Sequence, residues 1–286
     1  MATFFGEVVS RFSRAVEEDD EELMEEDEED REIRRELQKK REVHVQWSPE
    51  ISLLNEKHID QTLPCSNFIL AIGQNAGGFL SSFILNSEKW DVIGSVSLWN
   101  ERCKIFHTTE FQAPTDLSCV LYRLRSDPTV FSCQCNCYVA EDQQFQWTEK
   151  VFSRIQKREL RVTILSTYPV ADYRTSDSTY MLPVPFLRAL RTKYFKETTC
   201  CPVLEQPNVA SGLPAAVLSY CQVWQIPAVL YHCYTDVCNP DSITVKAFIP
   251  LLSSVHLKRL VKDTSEAEKI LKKFVNRSEV QSNLYT

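Results

Sequence analysis

The feature that most constrains the fold is a short apolar segment that ends at a glycine. Residues 68–72 read Phe-Ile-Leu-Ala-Ile, Gly73 follows, and a helix-like apolar pattern resumes over residues 76–85. A strand without polar side chains on either face is typical of the centre of a sheet that is covered on both faces. The segment therefore predicts a central strand with helices above and below it.

The rest of the chain continues this alternation of strands and helices. Further strands are predicted at residues 92–99, 119–124, 130–139, 162–165 and 227–234. Helices are predicted at residues 141–155 and 214–224, with two or three more between residues 242 and 274. Strands that alternate with helices predict an α/β fold with a mostly buried central sheet.

The charge pattern divides the 286 residues into a tail and a body. Residues 17–32 are mostly acidic and residues 31–41 turn basic, with Glu36 and Lys40 at helical spacing. A segment with so little apolar surface cannot offset the entropy of ordering it. We expect residues 1–60 to be an acidic, largely disordered, partly helical tail and linker, residues 61–275 the α/β domain, and residues 276–286 a flexible C-terminal tail. An electrostatic arm for a basic partner is the alternative interpretation of the acidic segment.

The composition excludes several classes of protein. A net charge of −7 argues against a nucleic-acid-binding protein, whose contact surface would be basic. The N-terminal residues do not resemble a secretory signal peptide, and no apolar run approaches the length of a transmembrane segment. We therefore expect a cytoplasmic or nuclear protein. In such a reducing compartment the 11 cysteines are expected to be buried thiols.

One turn has the position of a phosphate-binding loop. Gly73 and Gly78 follow a predicted strand at phosphate-loop spacing, but the next residues are Phe79 and Leu80 instead of lysine and serine or threonine. Asp236 follows another predicted strand, where open sheets often bind ligands. The favoured interpretation is a structural turn; the alternative is a nucleoside- or phosphate-binding enzyme or binding protein that uses residues 73–78.

Three cysteines form the obvious candidate for a metal site. Cys133, Cys135 and Cys137 share one face of a predicted strand with Phe131 and Val139. Alternate positions along a straight strand do not converge on one ion, and zinc ligands usually come from C-x2-4-C turns. Core packing is the favoured interpretation, and we expect no metal and no disulfide at these cysteines.

Catalytic motifs are missing from the sequence. Ser95 lacks the G-x-S-x-G context of a nucleophile elbow, and no H-E-x-x-H motif occurs. His232 lies in an apolar strand and is interpreted as a core histidine. We therefore expect no enzyme activity, no catalytic or cofactor-binding residues and no cofactor.

Several blocks of sequence resemble the proteasome assembly chaperone family. They lie at residues 138–152, 185–190, 204–208, 213–224 and 281–283. The resemblance extends over residues 62–286 and over residues 2–9, whereas the acidic segment matches only in being acidic. It implies a three-layer α/β/α sandwich, distantly similar to nucleoside-phosphorylase folds, without enzymatic activity.

The resemblance also implies partners. It implies a heterodimer with a related second chaperone subunit, and binding to the α-subunit ring of the 20S proteasome core particle until the particle matures. The expected location is the cytoplasm, with the nucleus and the periphery of the endoplasmic reticulum as alternatives.

The last three residues, Leu284, Tyr285 and Thr286, form a hydrophobic-tyrosine-any residue motif. Proteins that dock on the proteasome end in this way, with the tail in a pocket between α-subunits. The tyrosine can fill an apolar slot, and the terminal carboxylate can pair with a lysine. The alternative is a frayed C-terminus without a binding partner.

Overall fold

The computed structural model describes residues 28–51, 62–98, 119–175, 182–237 and 239–283. The chain falls into two units, residues 1–42 and residues 43–286. The described part of the first unit is helix α1, Glu28–Lys40, in which Ile33 and Leu37 are exposed. Part of the N-terminal segment is thus helical, while residues 1–27 lie outside the described part.

The second unit contains eight strands and five α-helices among the described residues. The strands are β1 (His44–Trp47), β2 (Asn67–Ile72), β3 (Trp90–Ser97), β4 (Cys119–Leu124), β5 (Val130–Cys135), β6 (Arg161–Pro169), β7 (Phe186–Arg191) and β8 (Ala228–Thr235). The helices are α2 (Gln74–Phe79), α3 (Gln144–Phe152), α4 (Gly212–Val223), α5 (Ser242–Ala247) and α6 (Thr264–Asn283). A π-helical turn, Leu80–Ile84, continues α2, and short 3-10 helices lie at Glu141–Gln143, Val170–Asp172, Ile249–Ser253 and Lys258–Leu260.

The strands form one mixed sheet in the order β1-β3-β4-β5-β2-β6-β8-β7. The four central strands β5, β2, β6 and β8 run parallel to one another. The strands outside them, β4, β3 and β1 on one side and β7 on the other, pair antiparallel with their neighbours.

Two apolar layers cover the sheet. Alternate side chains of β2, Phe68 and Leu70, pack against α3 and α4 on one face. Ile69 and Ala71 pack on the opposite face, against α2, the π-helical turn, α5 and α6. The prediction of an α/β sandwich with a buried central sheet is confirmed, because both faces of β2 are apolar and each has its own layer of helices.

The last helix, α6, packs closely against α2. Phe274 of α6 is 2% exposed and lies against Gly78. A Cβ atom at position 78 would lie 2.8 Å from Cζ and 3.0 Å from Cδ1 of that ring, and closer still to Cε1. Real carbon contacts are about 3.5–4.0 Å, so this position requires glycine for packing.

Two edge strands were not predicted. Strand β1 pairs with β3, and its Val43 and Ile51 flanks are buried, so the body begins before residue 61, where the sequence analysis had placed its start. Strand β7 pairs with β8 at the other edge. Strand β1 has only four residues, and β7 alternates buried with partly buried residues, so both lack the continuous apolar pattern by which β2 is recognised.

Several predicted elements have different ends in the structure, among them the following three. Strand β5 ends at Cys135 instead of residue 139, although Cys137 and Val139 are buried beyond it. Helix α3 ends at Phe152, and Ile155 lies in a bridge with Leu63. Helix α6 continues to Asn283, so residues 276–283, which were expected to begin a flexible tail, are helical.

Candidate functional site

The predicted docking residues Leu284, Tyr285 and Thr286 lie outside the described residues. They follow Asn283, the last residue of α6. That helix is attached to the body through the buried side chains of Ala267, Leu271 and Phe274. The helix that precedes the predicted docking motif is therefore packed on the body.

The turn at residues 73–78 is filled by protein atoms. Gly73 has a φ of +93°, which ends β2 at a position that favours glycine. A Cβ atom at Gly77 would collide with the side chains of Asn136 and Gln134. Because the two glycines after the turn, 77 and 78, contact side chains, the favoured interpretation of a structural turn agrees with the packing.

Asp236 does not converge with this turn. Strands β2 and β8 are separated by β6, which places their ends roughly 10 Å apart at ordinary strand spacing. The side chain of Asn75 in the turn accepts a hydrogen bond from the backbone of Asp241, at 3.0 Å, and Asp241 caps α5. The polar groups of this region thus connect α2 to α5.

A cleft of about 520 Å³ lies near the same edge of the sheet. It is lined by Tyr168, Ala171, Asp172, Arg174, Pro207, Asn208 and Val209. Neither the glycine turn nor Asp236 contributes to it. The residues proposed for the alternative enzymatic function therefore do not line this cleft.

Cys133 and Cys135 of β5 and Cys137 beyond its end lie in the core with a fourth thiol, Cys119 of β4. The Sγ atoms of Cys119 and Cys133 are 3.6 Å apart, as are those of Cys135 and Cys137. Burial raises the pKa of Cys119 well above its ordinary value, which keeps this thiol protonated. No metal-binding group of three or more histidine, cysteine or carboxylate side chains occurs among the described residues. The absence of bound metal remains a prediction.

The alternation in β5 separates polar from apolar side chains, but both faces of the strand are buried. Ser132 and Gln134 lie on the face covered by α2 and the π-helical turn, where the hydroxyl of Ser81 donates to Oε1 of Gln134 at 3.3 Å. The alternation of side chains with a period of two residues identified the strand correctly. It could not reveal that a helix covers the polar face.

His232 is a buried histidine in β8, as the sequence predicted. Its side chain is 1% exposed, and Nδ1 lies 2.7 Å from the hydroxyl oxygen of Ser166 on the neighbouring strand. Burial lowers the pKa of His232 to about 4, so the imidazole is neutral at pH 7. Among the described residues, no group bonds to Nε2.

A second polar cluster covers the edge of the sheet at β7. Arg188 pairs with Glu205 at 3.2 Å, and the Tyr173 hydroxyl donates to the same carboxylate. Burial, together with that hydrogen bond, raises the pKa of Tyr173. The backbone of Leu204 donates to the carbonyl oxygen of Ala189 at 2.7 Å. Residues 202–205 therefore occupy part of the outer edge of β7.

An exposed aromatic residue ends α4. Trp224 is 52% exposed and Val223 is 78% exposed. The ammonium group of Lys157 lies 3.2 Å from the centroid of the Trp224 ring, a cation–π contact. Exposed tryptophan is enriched at protein interfaces. The sequence analysis did not single out this residue as exposed, because it placed Trp224 only as the end of a predicted apolar helix.

The described helices were also searched for a membrane span. None of them combines the length and the apolar composition that crossing a bilayer requires.

The fold resembles solved structures of archaeal proteins. One is a Pyrococcus furiosus protein, PbaA, described as an archaeal homolog of proteasome-assembly chaperone, which is 12% identical with a TM-score of 0.50 over 85% of this chain and 100% of that chain. Another is a Thermoplasma acidophilum protein of unknown function, also 12% identical, with a TM-score of 0.54 over 82% of this chain and 97% of that chain. These similarities define an α/β protein with the fold of a proteasome-assembly chaperone homolog.

The sequence comparisons are more specific. The family model PAC1, described as proteasome assembly chaperone 4, matches residues 1–286. Curated proteins named proteasome assembly chaperone 1 are 59% identical in Xenopus tropicalis, over 100% of both chains, and 55% identical in Homo sapiens, over 100% of this chain and 99% of the relative. A relative of the same name in Danio rerio is 51% identical over 100% of both chains. The chain belongs to the PAC1 family of proteasome assembly chaperones.

Proposed function

We propose that this protein promotes assembly of the 20S proteasome by binding and scaffolding the ring of α-subunits. It acts as a heterodimer with a related second chaperone subunit and is released as the particle matures. The observation that carries this proposal is the 51–59% identity to curated proteins named proteasome assembly chaperone 1, which extends over the whole chain. The exposed Trp224 supports a function that depends on protein contacts.

The C-terminal motif is the proposed anchor on the ring. Leu284 and Tyr285 supply apolar surface for a groove between two α-subunits, and the carboxylate of Thr286 pairs with a basic residue of that groove. Tyr285 carries most of the binding energy, because aromatic anchors dominate small interfaces. The attachment of α6 to the body supports this role, since the helix includes Asn283, the residue directly before the motif.

The proposed activity is a binding activity, without catalysis and without a cofactor. The described residues that could support chemistry, the turn at residues 73–78 and Asp236, are separated by a strand. The proposed location is the cytoplasm, with the nucleus and the periphery of the endoplasmic reticulum as further compartments.

The test is reconstitution with a candidate second subunit and the α-subunits, followed by native mass spectrometry and measurement of ring affinity. Tyr285→Ala should weaken ring binding roughly 30-fold, which corresponds to about 2 kcal/mol. Ser282→Ala is the matched control and should leave the affinity unchanged. One residue added after Thr286 should weaken binding similarly, because it displaces the carboxylate.

The outcomes separate the two parts of the proposal. Failure of the unmodified protein to bind a second subunit or α-subunits would contradict the assembly function. Ring binding that is indifferent to both changes of the tail would contradict only the anchor. In both variants the heterodimer should persist.

A further inference from the structure

The helix that precedes the docking motif is attached to the body at its start. Lys262, two residues before α6, is 8% exposed. Its backbone N–H donates to the carbonyl oxygen of Phe83 at 2.9 Å, and its Nζ donates to that of Ser81 at 2.8 Å. Both acceptors belong to the π-helical turn Leu80–Ile84. One residue thus makes two hydrogen bonds that fix where α6 begins.

The first half of α6 is attached by an apolar face. Ala267, Leu271 and Phe274 are spaced four and three residues apart, which places them on one side of the helix. All three are buried in the layer that also contains α2 and α5. The Phe274 ring lies so close to Gly78 that a Cβ atom there would be 2.8 Å from Cζ. A helix held by three side chains in a close-packed layer cannot rotate about its axis without displacing its neighbours.

The second half of α6 continues beyond this apolar face. The next positions at the same spacing are Ser278 and Gln281, and Val280 is the only apolar residue between positions 276 and 283. The segment is nevertheless helical as far as Asn283, the last residue described. A helix that is already nucleated adds residues at little cost, whereas so short a polar segment by itself would not stay helical. The packed half therefore supports the polar half.

The polar half separates the packed face from the docking motif. Residues 276–283 are eight helical residues, which form an arm about 12 Å long at a rise of about 1.5 Å per residue. Leu284 follows Asn283 through one peptide bond, so their Cα atoms are about 3.8 Å apart. The position of the first motif residue is thus limited by the position of Asn283 in a helix that is attached to the body.

We propose that residues 276–283 of α6 are a rigid arm that holds the docking motif in the orientation in which it enters the ring of α-subunits. A motif that is already oriented loses less conformational entropy on binding than a motif on a flexible tether. The arm therefore contributes to affinity through its helical backbone. This inference rests on the proposed anchoring by Leu284, Tyr285 and Thr286.

Paired substitutions separate the stiffness of the backbone from side-chain contacts. The glycine pair, Ser278→Gly with Gln281→Gly, and the alanine pair, Ser278→Ala with Gln281→Ala, remove the same polar groups and keep the same length. Each glycine disfavours the helix about fivefold relative to alanine. The full-length chain, in complex with its second subunit, should therefore bind the ring at least about tenfold more weakly with the glycine pair than with the alanine pair.

An insertion tests the helical phase. Two alanines inserted after Arg277 continue the helix, lengthen the arm by about 3 Å and turn the motif by about 200°. Binding to the ring should again weaken at least about tenfold, because the motif is misdirected. If residues 276–286 were instead a flexible tether, two more residues would raise the entropy of loop closure slightly and weaken binding by less than about 1.5-fold.

Hydrogen exchange tests the arm without the ring. In a helix, the N–H groups of residues 279–282 donate to the carbonyl groups of residues 275–278. In the free full-length chain these amides should exchange at least about fivefold more slowly than in an unstructured chain. The glycine pair should bring their exchange close to the unstructured rate. Unstructured exchange in the unmodified protein would overturn the proposal.

The outcomes separate the arm from the anchor, because Tyr285→Ala is measured in the same assay. If Tyr285→Ala weakens ring binding while the glycine and alanine pairs bind equally, or while the insertion is neutral, the arm is overturned and the anchor stands. Ring binding that is indifferent to Tyr285→Ala overturns the anchor and the arm with it. Thermal denaturation should be the same for all these variants; a melting temperature that falls by many degrees would show that residues 276–283 pack on the body and are not an arm.

Discussion

Replacing Gly78 by alanine tests the contact that attaches α6 to the body. The added methyl group would lie 2.8 Å from Cζ and 3.0 Å from Cδ1 of Phe274. Carbon atoms in contact are separated by about 3.5–4.0 Å, so the ring has to retreat by roughly 1 Å. Phe274 is 2% exposed and cannot turn into solvent. The retreat must therefore displace α6 or its neighbours.

Two effects of this substitution oppose each other. Alanine in a helix gains about 0.5–1 kcal/mol over glycine because it restricts the unfolded chain. Overpacking of a buried site costs about 1–3 kcal/mol. The cost of overpacking is larger, and we expect the free energy of unfolding to fall by about 1–2 kcal/mol.

Thermal and urea denaturation measure this effect. The melting temperature should fall by about 2–4 °C for each kcal/mol lost. Phe274→Leu shortens the opposing side chain, so the double variant should be more stable than the sum of the single effects by about 1 kcal/mol. A higher melting temperature for Gly78→Ala, or strict additivity with Phe274→Leu, would refute the steric explanation.

Three further predictions concern the core and the N-terminal segment. Burial lowers the pKa of His232 to about 4 from an ordinary value of 6.5. As the pH falls, this histidine is therefore protonated in the unfolded chain at a higher pH than in the folded protein. The free energy of unfolding should consequently drop by up to about 3 kcal/mol between pH 6.5 and pH 4. In a urea titration at each pH, His232→Gln should lose this part of the pH dependence. Cys135→Ser should lower the free energy of unfolding by about 1–3 kcal/mol because it buries a hydroxyl among apolar groups. Metal analysis of the unmodified protein should find no stoichiometric zinc. Deleting residues 17–32 should leave the melting temperature unchanged, since they contribute little apolar surface; a drop of many degrees would contradict this.

The class of fold followed from local patterns. The apolar run at residues 68–72 predicted a strand buried on both faces, and β2 lies at the centre of the sheet with a helical layer on each side. Such a pattern can be recognised in the sequence because a strand that is covered on both faces is mostly apolar along its length. The buried state of Cys133, Cys135 and His232 followed in the same way from apolar context.

The edges of the sheet could not be read from the same pattern. The four residues of β1 form a strand because they pair in register with β3. Over only four residues, an alternation of polar and apolar side chains does not identify a strand. For the same reason the prediction placed the start of the body too late. The position of β1 at the end of the strand order depends on its pairing with β3, which is distant in sequence.

The sequence by itself determined the family, the α/β class and the C-terminal motif, since each depends on the identity of residues within short segments. Tertiary structure alone decided which strands end the sheet and why position 78 is glycine. Those outcomes depend on pairing and close packing between distant segments, such as Gly78 with Phe274, and no local pattern carries that information.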